Sequence, residues 1–259
     1  MVIFAYLRLS SLIFIACLSL FSHFTSNVMI VVTGGSKGIG RAIIEKFAQK
    51  GYHVCTCGRD KQALDQLKME IETKYQVSLH YRLADLSKPK DIEDFIWFVH
   101  FLDQPIEVLV NNAGYFVAGS ITEEPAGTLE NMLNTNLLSA YHVTRGLVGK
   151  MKAQKKGDIF NICSIASITA YPNGGSYCIS KFALYGMTKV LRLELMPHQI
   201  RVVAVLPGAT LTDSWAGAGL PPERFIKPQD VAKAIYAAHA LSSQAVIEEM
   251  IIRPQLGDI

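Results

Sequence analysis

The pattern Tyr-x-x-x-Lys occurs twice in the stretch SYCISKFALYGMTK, as Tyr177 with Lys181 and as Tyr185 with Lys189. A phenol can give a proton to an oxygen that is gaining negative charge, and a nearby ammonium brings the phenol's pKa closer to working pH. Residues four apart share a helix face, so either pair can meet that requirement. Two copies in one helix also show that the pattern alone is ordinary helix decoration.

A second constellation lies near the start of the chain, where an apolar run meets TGGSKGIGRAIIEKFAQKG. Gly34, Gly38 and Gly40 occupy a turn and the opening of a helix whose apolar residues recur at Ile39, Ile43 and Phe47. Such a turn leaves backbone N–H groups and the positive helix end facing an anion, and glycine lets a pyrophosphate come close. Tight strand-to-helix turns also need glycine for backbone reasons. The spacing is G-x-x-x-G-x-G, which differs from the commonest dinucleotide fingerprint. About 20 residues on, where an acid would hold the ribose 2′-hydroxyl of NAD, the sequence has Gly58 followed by Arg59. A guanidinium there suits a 2′-phosphate, and Lys37 adds a second positive charge on the same side. NADP(H) is therefore expected over NAD. The competing reading leaves both side chains in solvent.

These groups need a scaffold to bring them together. Short runs rich in Val, Ile and Leu read as buried strands at 28–33, 52–57, 78–84, 106–112, 158–164, 200–206 and 246–252. Between them lie segments with helical spacing, one of them carrying Leu129, Met132, Leu133, Leu137, Ala140 and Tyr141 along a single face. The alternation predicts an α/β, doubly wound, Rossmann-type fold: a mostly parallel seven-stranded sheet in one domain, with helices on both faces and ligands at the carboxyl ends of the strands. The 259 residues carry a net charge of only +3 with no long basic block, which gives nucleic-acid binding no support. The five cysteines are odd in number and lack paired C-x-x-C spacing, so they read as reduced thiols, with no metal site and no disulfide.

With this order of elements, the motifs resemble those of the short-chain dehydrogenase/reductase family: Thr33–Gly40 as TGGSKGIG, Asn111–Gly114 as NNAG, Asn136 in NTNLL, Ser164 in NICS, Tyr177 with Lys181, and Pro207-Gly208. They stand in the family's order and span most of residues 28 to 252. Position separates the two tyrosines. Tyr177 follows the loop Pro172–Gly175 near a helix start beside the crevice, and Ser164 ends its strand 13 residues earlier. Tyr185 lies roughly 12 Å further down the helix, where a packing or interface role is the ordinary expectation.

The resemblance implies an NADP-dependent oxidoreductase moving hydride between NADPH and a carbonyl or secondary alcohol. Tyr177 would be the acid/base, Lys181 would assist it and hold the nicotinamide ribose, and Ser164 would polarise the substrate oxygen. Asn136 would help hold a water in a relay to Lys181; without the resemblance it reads as a tolerated helix polar. By the same transfer Gly34, Ser36, Lys37, Gly38, Ile39 and Gly40 cradle the phosphates, and Asp85 and Leu86 meet the adenine. Asn112, Ala113 and Gly114 line the ribose, while Pro207, Gly208, Thr210 and Thr212 meet the carboxamide. The alternatives are a 3-oxoacyl thioester reductase and a non-catalytic NADP-binding regulatory protein. The segment LTDSWAGAGLPPERFIKPQD is expected to close over the substrate, with Arg224 and Lys227 as its basic candidates for an anionic group.

Relatives pair through the helices corresponding to 126–152 and 175–196, so a homodimer or homotetramer is expected, with Tyr141, Leu147, Leu184 and Tyr185 among the apolar residues on those helices. Residues 1–27 are apolar, with Arg8 the single charge between Val2 and Phe24. They lack a small-x-small cleavage site and end a few residues before the first strand. The expectation is translation from Met29 and a cytoplasmic enzyme comprising residues 28–259; a membrane anchor through residues 1–27 is the alternative.

Overall fold

The first strand, β1 (Met29–Thr33), has all five residues buried, as expected of a strand covered by helices on both faces. A computed structural model of the protein describes residues 28–215 and 219–259; the expectations for residues 1–27 lie outside the described residues. Beyond β1 come β2 (His53–Gly58), β3 (Leu79–Leu83), β4 (Ile106–Asn111), β5 (Gly157–Ile162), β6 (Ile200–Pro207) and β7 (Glu249–Ile252). All pairings are parallel, in the order β3-β2-β1-β4-β5-β6-β7. Each strand lies within about three residues of its predicted run.

The helices are α1 (Gly38–Ala48), α2 (Lys61–Tyr75), α3 (Pro89–Phe101), α4 (Thr128–Leu133), α5 (Ser139–Gln154), α6 (Gly175–Leu195) and α7 (Pro228–His239). Side chains alternate across the pleat, so each strand feeds two cores. Ile30, Val32, Val108, Val110 and Phe160 pack with Ile43, Phe47 and Ile235 of α1 and α7. Their neighbours Met29, Val31, Leu109 and Ile159 face Phe95 and Val99 of α3 and Leu147 and Met151 of α5. Each such residue, fully buried, contributes about 1.5–3 kcal/mol of transfer free energy.

Several polar side chains inside this core are paired across elements. The Asn111 amide donates to Thr144 Oγ1 at 2.9 Å and to Asn161 Oδ1 at 2.8 Å, and Asn161 donates in turn to Thr188. The chain of contacts ties α5 and α6 to the middle of the sheet. At the other end of the strands Asp158, 2% exposed, receives both prongs of the Arg201 guanidinium at 2.5 and 2.7 Å and His239 Nδ1 at 2.5 Å. Arg201 also donates to the carbonyls of His239, Leu241, Ser242 and Ala245, so one side chain shapes the return to β7.

Two of the residues expected on an intersubunit face belong to this core. Leu147 and Leu184 are 0% and 2% exposed, because the faces they occupy press on the sheet. The exposed apolar residues of α6 are Ile179, Phe182, Val190 and Leu193, with Leu138 and Tyr141 around the start of α5.

Removing the carboxylate of Asp158 leaves the Arg201 guanidinium without its partner in a buried site. Asp158→Ala is expected to cost about 3–5 kcal/mol, read as a fall in the urea midpoint. A loss below 1 kcal/mol would contradict this account of the cluster.

Candidate active site

The chain runs outward from β1 to β3, then returns to place β4 on the other side of β1. The connections leaving β1 and β4 therefore diverge and open a crevice at their carboxyl ends. A cleft of about 890 Å³ lies there. Its floor includes the glycine turn after β1, its walls the segments after β4, β5 and β6, and its far end Arg59 and Asp85 after β2 and β3.

The glycine turn has the geometry an anion cradle requires. Gly34 and Gly38 have φ of +68° and +56°, a region that side-chain-bearing residues rarely adopt. Helix α1 starts after Lys37 with no side-chain cap and no acid in its first turn, so its leading N–H groups have no side-chain acceptor of their own. Helix α2, by contrast, is capped by Asp60, which accepts from Ala63 N at 3.0 Å. These features fit a dinucleotide phosphate. Gly40 differs from its predicted role. It does not line the cleft; a Cβ there would come within 2.5 Å of both Asn112 Nδ2 and the Gly34 carbonyl, so glycine is needed for packing beneath the turn. Gly35, which the spacing argument passed over, has a similar duty, since a Cβ would overlap Thr56 and Ile44.

At the other end of the cleft the first turn of α6 presents Tyr177, with Ser164 opposite on the segment leaving β5. Burial raises the Tyr177 pKa, the Ser164 hydroxyl opposes that rise, and Cys178 and Cys163 add to it. The expectation that Lys181 would bring this pKa down is not met: desolvation of the phenol dominates, and the groups that act on it are Ser164, Cys178 and Cys163. Lys181 Nζ lies 5.8 Å from the Tyr177 ring centroid and donates to the Ile162 carbonyl at 2.8 Å. Burial holds its own pKa down, at about 8, with Cys163 partly countering. Ser164 Oγ also accepts from Ala166 N at 3.1 Å, which fixes the turn that carries it.

Asn136 sits in a π-helical turn, Asn134–Leu138, between α4 and α5. Such turns interrupt α-helices mostly as single insertions, often at functional sites. Its side chain is 1% exposed; it accepts from Tyr115 N, donates to the Tyr115 carbonyl and reaches Ser180 Oγ. It does not line the cleft, yet a Cβ on Gly114 would lie 3.1 Å from Asn136 Oδ1 and 3.5 Å from Lys181 Nζ, so the two side chains flank one glycine. The second tyrosine is engaged elsewhere. Tyr185 donates to Glu249 Oε1 at 2.6 Å, and Lys189 lies 4.4 Å over its ring, which ties α6 to β7.

A model of the family described as short chain dehydrogenase matches residues 28–220. The chain is a short-chain dehydrogenase. It is 31% identical over 238 residues to the sepiapterin reductase of Chlorobaculum tepidum, which covers 89% of this chain and 98% of that protein. It is 33% identical over 215 residues to a 3-oxoacyl-(acyl-carrier-protein) reductase of Aquifex aeolicus, covering 79% and 87% of the two chains. Among solved structures, a metagenomic short-chain oxidoreductase in complex with NADP matches with a TM-score of 0.77 at 30% identity, over 89% of this chain and 98% of that one. The L-sorbose reductase of Gluconobacter frateurii, complexed with NADPH and L-sorbose, matches at 0.81 and 25% identity, over 88% and 95%.

Most of the other predicted residues line the cleft of this short-chain dehydrogenase: Ser36, Lys37, Ile39, Arg59, Leu86, Ala113, Gly114, Pro207, Gly208, Thr210 and Thr212. Asp85 lines it as well. Its Oδ1 accepts from Ser87 N and Oγ, and its carboxylate pKa is lowered: burial would raise it, but Ser87, Arg59 and Lys88 prevail. Asn112 borders the cleft, but its amide donates to the Thr33 and Gly34 carbonyls. Lys37 pairs with Asp213 across the mouth of the cleft. The two basic candidates for an anionic substrate lie outside it. Arg224 donates to the Leu256 and Asp258 carbonyls, and Lys227 is exposed just before α7. Trp215, in the segment expected to close over the substrate, lines the cleft together with Phe116 and Tyr171, aromatic walls that motif reading missed because nothing in their spacing marks them.

The buried ammonium has a testable cost. Below pH 8 Lys181 is charged in both the folded and unfolded states, and the burial penalty is complete. Between about 8 and the ordinary lysine value of 10.5 the folded form releases the proton while the unfolded form keeps it. Stability should therefore rise with pH across this window by roughly 1.4 kcal/mol per unit at most. The measurement is urea unfolding of the wild type minus that of Lys181→Met; a difference flat from pH 8 to 10.5 would contradict it.

Proposed function

We propose that this short-chain dehydrogenase is an NADPH-dependent reductase of neutral carbonyl compounds, with Tyr177 as the proton donor. The observation that carries the reading is the grouping of the Tyr177 phenol, the Ser164 hydroxyl and the Lys181 ammonium at one end of the cleft, while Tyr185 spends its hydroxyl on Glu249. The cleft would hold a reduced nicotinamide, which would supply hydride to the carbonyl carbon. Ser164 donates to the carbonyl oxygen and holds it beside Tyr177. Tyr177 gives that oxygen its proton, as a phenol that is protonated at neutral pH. Lys181, with a pKa of about 8, stays largely charged at pH 7 and stabilises the phenolate left behind. Asn136 holds the backbone of Tyr115 at the edge of this group.

Preference for the phosphorylated cofactor follows from Arg59, which lines the cleft without an ion pair among the described residues, beside Gly58 where an acid would select NAD. Relatives solved with NADP or NADPH support the same choice. Arg59→Asp is expected to weaken NADPH binding tenfold or more, as loss of a charge-assisted bond of about 1.5–3 kcal/mol implies, with NADH favoured by comparison. Dissociation constants unchanged within twofold would place Arg59 in solvent.

Among the described residues the substrate end has aromatic walls and, apart from Lys181, no basic side chain. That composition suits a neutral ketone or aldehyde more than an anionic one. The 3-oxoacyl thioester reading rests on the Aquifex relative, and a panel of neutral ketones and 3-oxoacyl thioesters decides between them by kcat/KM. We further propose a cytosolic homo-oligomer that pairs through the apolar face of α5 and α6, and light scattering showing a monomer at micromolar concentration would refute the pairing. The catalytic assignment predicts that Tyr177→Phe removes nearly all turnover with NADPH affinity retained, while Tyr185→Phe keeps most of it. Equal effects of the two substitutions on kcat would overturn it.

A further inference from the structure

The loop between β4 and α4 does more than border the cleft. It leaves the sheet at Asn112, is held at Tyr115 by the two hydrogen bonds exchanged with Asn136, and places Phe116 edge-on to the Tyr177 ring at 4.9 Å between centroids. It then runs beside the approach to α6, where Gly119 N donates to the Asn173 carbonyl at 3.0 Å and Gly119 bridges to Gly174. Finally the Glu124 carboxylate reaches the first turn of α6. Its Oε1 accepts from Ser176 N at 3.0 Å, and its Oε2 accepts from the Ser176 hydroxyl.

The chain at that point is shaped around the carboxylate. Asn173 and Gly175 have φ of +61° and +21°. A Cβ on Gly175 would overlap Glu124 Oε1, and one on Gly119 would lie 2.7 Å from Glu124 Cγ. Two glycines thus clear the space that this side chain fills. Helix α6 has no side-chain cap from its own N-cap residue, Gly174, and no acid in its first turn, so the carboxylate that meets its leading N–H comes from a distant loop. A negative charge there also suits the positive end of the helix.

We infer that Glu124 is a positioning residue for the reaction: by clamping Ser176 it fixes the first turn of α6, and with it the place of the Tyr177 hydroxyl. Ser176 and Tyr177 are adjacent, so movement of one is movement of the other. The clamp and the Phe116 contact belong to the same loop, which locates the phenol both at its backbone and at its ring. Misplacing a reacting group by about 1 Å can cost on the order of a hundredfold in rate, whereas Glu124 makes no hydrogen bond to the glycine turn or Arg59, the groups proposed above to hold the cofactor. This inference rests on the proposed role of Tyr177.

The test is steady-state kinetics of Glu124→Ala and Glu124→Gln with NADPH and a ketone that the wild type reduces, alongside NADPH titration and thermal melting. Glu124→Ala should lower kcat at least fivefold while leaving the dissociation constant of NADPH within twofold. Glu124→Gln, whose amide oxygen still accepts from Ser176 N and whose NH2 can donate to the serine hydroxyl, should recover kcat to within threefold of wild type. A smaller loss in Glu124→Ala, a proportional loss of NADPH affinity, or a Gln variant as slow as the Ala variant would overturn the inference. If Glu124→Ala does not fold, the Gln comparison and Ser176→Ala, which removes one of the two bonds and should give a partial kcat loss, decide it. An inactive Tyr177→Phe beside a normal Glu124→Ala sinks this inference alone, whereas an active Tyr177→Phe sinks the reading beneath it.

Discussion

The divergence of the chain at β1 and β4 is held by a reciprocal stitch between Thr33 and Asn112. Thr33 Oγ1 accepts from Asn112 N and Ala113 N, each at 3.0 Å, while the Asn112 amide returns to the carbonyls of Thr33 and Gly34. Two strands that would otherwise splay at their ends are locked at the point where one leads into the glycine turn and the other into the loop of Tyr115 and Phe116. Both walls of the cleft inherit their position from these few hydrogen bonds. Each is worth only about 1 kcal/mol net, but leaving any of these half-buried groups unpaired costs more, so the arrangement holds together as a unit.

From that point the site is assembled by polar contacts crossing an apolar interior. Asn111 and Asn161 hold α5 and α6 against the sheet, and Asn136 holds the loop that leaves β4. The charged cluster of Asp158, Arg201 and His239 stands at the amino ends of the strands, the far edge of the sheet from the cleft. One strand length, about 20 Å for six residues, separates the charges that stabilise the fold from the groups placed in the cleft. At the cleft end Lys181 is a buried cation that donates to the Ile162 carbonyl, and its burial is what lowers its pKa.

Much of this was legible in the residues themselves. Most strands were foreseeable because buried parallel strands read as apolar runs, though β3 and β7 carry His80, Arg82 and Glu249, and the crevice followed from the alternation of strands with helices. The choice of Tyr177 over Tyr185 came from distance along one helix, and Glu249 then accounts for the tyrosine passed over. What sequence did not disclose depends on contacts between distant segments. Leu147 and Leu184 carry no mark that tells an inward apolar face from an outward one. Arg224 looked like a free cation until the carbonyls of Leu256 and Asp258 took it up. The π-helical turn at Asn136 is a departure in backbone pitch that no residue type announces, and the rise in the Tyr177 pKa reflects burial that spacing cannot measure.

Gly35 and Gly40 are confined by the protein's own atoms, Thr56 and Ile44 around one, Asn112 and the Gly34 carbonyl around the other. A descendant of this chain that lost its reaction would still need both to close the turn over the sheet. Half of a glycine fingerprint is thus a fossil of architecture, preserved by packing whether or not a nucleotide ever arrives. In such a lineage these two glycines would report on packing alone.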